Sequence, residues 1–308
     1  MSASRPGTFR LFRILGIDVS LHWMWILVAA YEIQASNRRY TSIIWNVAEY
    51  LTLFLIVLLH EFGHALACRS VGGLSDHIML WPLGGVAYVN PPPRAGALLW
   101  SIAAGPLVNV ALLPVTIGAY LVARHSFAML PPDFIRYLYM VAFINGGLLA
   151  FNMLPIYPLD GGQILRALLW FVVGRAKSLY AASVIGVIGA AVVIVLALIW
   201  QDVRLIVLAA FGGMRSLQGF KHASAISKLL ALPRHETVHC PGCGNSPPAG
   251  LFWGCSCGAK FDTFASGAIC PNCGKEFSVT ACAHCGRKYP WSLWPGATEA
   301  LSVSPLPQ

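Results

Sequence analysis

The stretch Leu51-Thr52-Leu53-Phe54-Leu55-Ile56-Val57-Leu58-Leu59-His60-Glu61-Phe62-Gly63-His64 decides how the rest of the chain is read. Its first nine residues, polar only at Thr52, form an apolar run that ends in two histidines and a glutamate. On a helix, residues four apart share a face, so His60 and His64 can offer two imidazole nitrogens to one Zn²⁺ ion. Glu61, one position on, can reach a water held there. Such groups are costly in lipid unless they pair, so an ionisable cluster closing an apolar run marks a functional site. A chance occurrence of the pattern in a soluble helix is the competing reading, and the composition speaks against it.

Of 308 residues, 57% are hydrophobic and only 11% charged, with mean hydropathy +0.66. Soluble domains carry about 25% charged residues, so the composition predicts a polytopic membrane protein. Residues 1–235 hold 17 Lys/Arg against 8 Asp/Glu, whereas residues 236–308 hold 4 of each. The basic excess therefore belongs to the membrane part, where it sets topology, and a nucleic-acid partner for the neutral tail is not expected.

Apolar run lengths predict spans near 20–35, 45–68, 97–123, 136–159, 180–200 and 203–214, the last short enough to be re-entrant or interfacial. The N-terminal segment with Arg5, Arg10 and Arg13 lacks a small-residue cleavage site, so the first run is read as a retained span. Six spans put both termini on one side, which then carries 12 Lys/Arg against 5 on the other and is expected to be cytoplasmic. The expected location is the cell's inner (cytoplasmic) membrane. The fold class predicted is an all-α polytopic membrane protein with a re-entrant hairpin, plus a small cytoplasmic zinc-ribbon-like domain. The expected domains are 1–232, 233–295 and a disordered tail, 296–308. The hairpin is read from residues 78–89, where apolar residues alternate about Pro82-Leu83-Gly84-Gly85; an ordinary surface loop is the alternative. His22, beside Trp23, is read as an interfacial residue with no catalytic role.

A catalytic zinc needs a third protein ligand and an open position for water. The best candidate is Asp160, in Asn152-Met153-Leu154-Pro155-Ile156-Tyr157-Pro158-Leu159-Asp160-Gly161-Gly162. Two prolines break the helix and two glycines free the backbone, so the carboxylate can turn inward. A helix-capping role for Asp160 is the alternative.

With His60–His64 and 152–162 in place, and with Trp81-Pro82-Leu83-Gly84-Gly85 and Ala104-Gly105-Pro106-Leu107-Val108-Asn109 supporting them, the chain resembles the site-2 protease family of intramembrane zinc metalloproteases over roughly residues 14–220. The layout is most similar to the compact bacterial branch without an inserted PDZ domain. That branch often carries a cytoplasmic CBS module, where this chain has a cysteine-rich segment, so nucleotide regulation does not carry over. The resemblance implies that His60, His64 and Asp160 hold Zn²⁺ while Glu61 moves the proton. Asn152 is implied as the stabiliser of the oxyanion or a grip on the substrate backbone, unless it only relieves the proline-broken helix. Leu83, Gly84, Gly85 and Val86 are expected to accept an unwound substrate as an added strand, and Asn109 to face the same cavity or serve a helix kink. The substrate class implied is membrane-anchored proteins, such as anti-sigma factors, membrane-bound pro-forms or remnant signal peptides, cleaved in or near their transmembrane segments in regulated intramembrane proteolysis. A catalytically idle membrane adaptor or zinc-handling protein is the rival function, disfavoured because a structural site has no use for Glu61.

Eight of the nine cysteines fall in four pairs: Cys240/Cys243, Cys255/Cys257, Cys270/Cys273 and Cys282/Cys285. A reducing compartment favours metal over disulfides, and the glycines that follow (Gly244, Gly258, Gly274, Gly286) resemble zinc-knuckle turns. Two structural zinc ions are expected in addition to the catalytic one. Sequential pairing, 240/243 with 255/257 and 270/273 with 282/285, is the simpler arrangement; an interleaved one, or His239 or His284 replacing a thiol, is the alternative. Phe252, Trp253, Phe261, Phe264, Trp291 and Trp294 form either this segment's minimal core or a face for a protein partner.

Overall fold

The computed structural model describes residues 7–35, 39–81, 84–126, 130–282 and 287–296. The chain divides into two compact units, Met1–His222 and Ala223–Gln308. In the first, β1 (Thr8–Ile14) and β2 (Ile17–His22) precede α1 (Met24–Ala35) and α2 (Ile43–Ser70). Then follow β3 (Leu74–Trp81), β4 (Gly84–Asn90), α3 (Ala95–Ser126), α4 (Pro132–Asn152), α5 (Asp160–Val173), α6 (Arg175–Ile199) and α7 (Val203–Ala231).

The helical expectation holds for most of this unit, but the unit is not all-α. The hairpin read at 78–89 is β3 and β4 of a four-stranded sheet ordered β1-β2-β3-β4, its outer pairs antiparallel and β2 parallel to β3. The two-residue turn at Leu15-Gly16, with φ of +52° and +73°, suits the right-handed twist of β1 and β2. The first expected span divides into β2 and the twelve-residue α1. At 1.5 Å per residue α1 reaches about 18 Å, short of a bilayer core of about 30 Å. Among the described residues, four helices are long and apolar enough to cross a membrane: Ile43–Ser70, Ala95–His125, Pro132–Asn152 and Arg175–Ile199. The expected span 136–159 stops at Asn152, where Pro155 and Pro158 end the helix, and α7 runs well past the expected 203–214.

The sheet lies on α2. Ile17, Val19, Ile78 and Leu80 are fully buried with Val57, Leu58, Ala65 and Trp25. Arg69, in the last turn of α2, donates to the carbonyls of Leu15, Gly16 and Ser75, tying both hairpins to that helix end. Asp133 of α4 accepts from the Thr41 N–H at 2.9 Å and from its hydroxyl at 2.5 Å, which fixes the opposite end of α2.

The second unit contains two short ladders, β5 (Trp253–Gly254) with β6 (Lys260–Phe261) and β7 (Val279–Ala281) with β8 (Lys288–Pro290). Phe264 is its fully buried centre, ringed by Trp253, Trp291 and Trp294 with ring centroids 5.2, 5.4 and 4.8 Å away. The aromatic residues read as core or partner face are therefore mostly core, and Phe252 is the exposed exception at 45%.

Candidate metal centre and active site

His60 and His64 project from α2 into a buried junction with α3 and the start of α5. The His60 Nε2 lies 3.0 Å from His64 Nε2 and 3.0 Å from Asp160 Oδ2, and His64 Nε2 lies 3.3 Å from the same oxygen. Three ligands on one tetrahedral zinc with bonds of ~2.0–2.1 Å would stand about 3.3 Å apart, so the triangle has the size of a metal site. The tautomers agree. The Asn109 amide nitrogen donates to Asn145 Oδ1 at 2.8 Å, so Asn109 Oδ1, 2.5 Å from His60 Nδ1, accepts that ring's proton. His64 Nδ1 likewise donates to the Ser101 carbonyl at 2.9 Å. Each Nε2 is thus a bare lone pair, and two lone pairs facing a carboxylate oxygen repel unless a cation lies between them.

The backbone makes room for these rings. A Cβ on Gly105 would stand 2.8 Å from His60 Nε2 and closer still to the His64 ring, so α3 can pass the imidazoles only as glycine. A Cβ on Gly161 or Gly162 would meet the backbone of Met153 or Ile156 at 2.5 Å; their absence lets α5 start against the broken segment and brings Asp160 inward. Carbonyls of the broken segment are answered internally, Phe151 O by Leu154 N–H at 3.2 Å, Leu154 O by Ile156 N–H at 2.7 Å, Tyr157 O by the Ser216 hydroxyl at 2.5 Å and Pro158 O by Gln163 at 3.0 Å.

Glu61 is oriented by the sheet. Its Oε2 accepts the Ala87 N–H at 2.7 Å, while its other oxygen lies against Gly85, where a Cβ would sit 2.5 Å from Oε1. β4 is an edge strand of the sheet, so Gly85 and Val86 lie on the margin nearest this carboxylate. Leu83 falls outside the described residues. Asn152 is the half-buried last residue of α4, and among the described residues its amide has no hydrogen-bond partner. Asn109 is fully buried and committed to His60 and Asn145.

Three groups here escaped sequence reasoning: the Asn145 amide, which also donates to Asn109 O at 3.0 Å, the Ser101 carbonyl and the Ala87 N–H. Asn145 had a findable signal, since it stands seven residues before Asn152 on the same helix face. The other two are backbone groups and carry no residue signature.

The second unit brings its thiols into two groups. Cys255, Cys257, Cys270 and Cys273 form one, with Cys255–Cys273 and Cys257–Cys270 sulfurs 3.5 and 3.6 Å apart; Cys240, Cys243 and Cys282 form the other, with Cys243–Cys282 at 3.9 Å. These separations exceed a disulfide's ~2.05 Å and match about 3.8 Å for sulfurs on one tetrahedral zinc. The sequential pairing is overturned: the inner pairs join each other, and Cys282 groups with Cys240 and Cys243 instead of with Cys270 and Cys273. The reason is packing, since Cys255 and Cys270 share a core with Phe261 while Cys240 and Cys282 share one with Phe264 and Trp294. Cys285 and His284 lie outside the described residues. The knuckle turns are present, with Gly244, Gly258 and Gly274 at φ of +68°, +88° and +71°. The Ala259 N–H directed at Cys257 holds that thiol down at about 6, in its metal-ready form.

A frame of helices long and apolar enough to cross a membrane, with a buried His-His-Asp centre beside a sheet-held glutamate, defines a metal site of the intramembrane class. The model of Peptidase family M50 matches residues 114–196, a range that includes Asn152 and Asp160. The chain is 35% identical over 204 residues to a zinc metalloprotease of Methanocaldococcus jannaschii, covering 66% of this chain and 58% of that one. It is also similar to the solved structure of the site-2 protease from the same organism, with TM-score 0.54 and 32% identity over 69% of this chain and 95% of that one. This chain belongs to peptidase family M50, the site-2 proteases. It spans little more than half the length of the curated M. jannaschii relative.

Proposed function

We propose that the chain is an intramembrane zinc endopeptidase that hydrolyses peptide bonds in or near the transmembrane segments of membrane-anchored proteins, as a step of regulated intramembrane proteolysis. The observation that carries this reading is the convergence of two bare imidazole lone pairs and one carboxylate oxygen beside Glu61. His60, His64 and Asp160 would hold the ion. Bound there, Zn²⁺ supplies a Lewis acid that lowers the pKa of water from about 15.7 towards 7. Glu61, pinned through Oε2 to Ala87, has Oε1 to take the proton of the attacking water and return it to the leaving amide nitrogen. The uncommitted Asn152 amide donates to the carbonyl oxygen as charge develops on it, or grips the neighbouring peptide group. Asn109 acts through His60 by fixing its tautomer. The substrate helix must unwind to expose a peptide bond, and the outer edge of β4 (Gly84, Gly85, Val86 and onward) takes its freed backbone groups as an added strand.

An even number of spans, the four described or the six expected from sequence, keeps both termini on one side of the inner membrane, cytoplasmic by the Lys/Arg count. In that reducing compartment residues 233–295 hold two structural zinc ions, and a protein partner would dock on their outer surface.

The test is cleavage of a single-span substrate in membranes by the wild type and by Glu61→Gln. Wild-type product with at least 10²-fold less from the variant is expected, the scale of lost general-base catalysis. Equal product from both would remove the protease assignment.

A further inference from the structure

Asp160 is the first residue of α5, and the start of that helix has no side-chain cap. Acidic side chains at a helix start usually answer its free N–H groups. This carboxylate is turned to His60 and His64 instead. Where it stands is therefore set by the segment that delivers it, residues 153–159.

Two sets of contacts hold that segment. One comes from α5 itself: Gln163 donates to the Pro158 carbonyl at 3.0 Å, and Gly161 and Gly162 lie against the backbone of Met153 and Ile156. These contacts travel with the helix and cannot fix it in place. The other set comes from α6 and α7. The hydroxyl of Ser216, a fully buried residue of α7, donates at 2.5 Å to the carbonyl of Tyr157, three residues before Asp160. Gly186 of α6 leaves room for this bond, since a Cβ there would stand 2.7 Å from the same carbonyl oxygen and closer still to the Ser216 hydroxyl. Gly189 makes space for Ile156, whose Cγ1 a Cβ would meet at 2.7 Å, and Gly219 lets the Tyr157 ring pass, 3.5 Å from where its Cβ would be.

We propose that Ser216 is a positioning residue for the metal centre: by holding Tyr157 it sets how closely Asp160 approaches His60 and His64. The inference rests on those three residues holding the ion. The histidines stand on α2 and the aspartate on α5, so α7, which supplies none of the three, becomes a determinant of metal affinity. In apolar surroundings no water takes over from a lost hydroxyl, so without Ser216 the Tyr157 carbonyl must find another donor and the segment shifts.

Cadmium NMR of the purified full-length chain tests this without relying on cleavage, because an ion held by imidazoles and a carboxylate resonates far from ions held by thiolates. Occupancy of the former signal is followed in competition with a chelator. Ser216→Ala is expected to shift that resonance and to weaken the site about 10-fold, the lower end of what removing a supporting partner costs. The thiolate signals should not change. In an Asp160→Ala background the same substitution should have no effect on the two-histidine site, because it acts through the carboxylate. Ser183→Ala removes a buried hydroxyl that donates within α6 to the Leu179 carbonyl, and should leave the site as in the wild type. If the Ser216→Ala chain does not fold, Gly186→Ala displaces the same carbonyl from the other side and is expected to weaken the site likewise. Wild-type affinity and resonance in Ser216→Ala, or an equal loss with and without Asp160, overturns the positioning role alone. A wild-type chain with no His60-dependent signal overturns the metal centre itself, and the positioning role with it.

Discussion

At the residue scale, the informative pair is Asn109 with Asn145. Neither touches the metal position, yet together they decide which nitrogen of His60 faces it. Supporting groups of this kind typically change metal affinity 10–100-fold when removed. Asn109→Ala is therefore expected to weaken zinc binding by about that factor, read by competition with a chelator, with the helical circular dichroism unchanged. Asn145→Ala should act in the same direction by a smaller amount, because Asn109 then keeps its contact with His60 but loses its anchor. A variant in which Asn109→Ala retained full zinc affinity would show that the Ser101 and Asp160 contacts suffice. The grouping of His60, His64 and Asp160 was legible in the sequence, since helical spacing and a broken helix restrict where such side chains can point.

At the element scale, β4 does two things at once. Its Ala87 N–H turns away from β3 to hold Glu61, so by strand alternation Gly85 presents its amide on the same outer margin, while the Val86 amide faces β3; the ladder's register shifts beyond Ala87, before Val89 pairs with Ser75. Val89→Pro, beyond the register shift, removes one strand donor outside the regular ladder, and cleavage is expected to fall about 2- to 10-fold, one backbone hydrogen bond's worth, with zinc retained. Val86→Pro breaks the ladder itself and should cost more, because it also loosens the seat of Glu61. Unchanged cleavage in both would argue that substrate does not add to this strand. The hairpin was readable from its alternation and glycines, but its partners were not: β2 is more than fifty residues away in sequence, and a parallel pairing leaves no local trace.

For the whole molecule, the metal count is the decisive measurement. Three zinc ions per chain are expected by elemental analysis. Replacing His60 and Asp160 with alanine should remove one of them, and deleting the cysteine-rich segment should remove two. The nested grouping of thiols refines this. Cys255→Ser should release the ion shared with Cys270 and Cys273 and leave the one at Cys240, Cys243 and Cys282, whereas sequential pairing would have it disturb the Cys240 group. A segment with so small a core depends on its metal for folding, so chelation should melt its tertiary near-ultraviolet signal while the helical signal persists.

By itself the sequence determined what short-range rules govern: apolar runs long enough for lipid, two histidines one helical turn apart, a carboxylate after a proline-broken helix, and knuckle turns whose glycines need positive φ. The tertiary structure decided what depends on distant segments meeting. It set the four-stranded sheet, the backbone N–H that holds Glu61, the asparagine pair behind His60 and the nested thiols. Local periodicity reports which face of an element is buried. Which other element covers that face is settled by close packing of the whole chain, and packing leaves no period in the sequence.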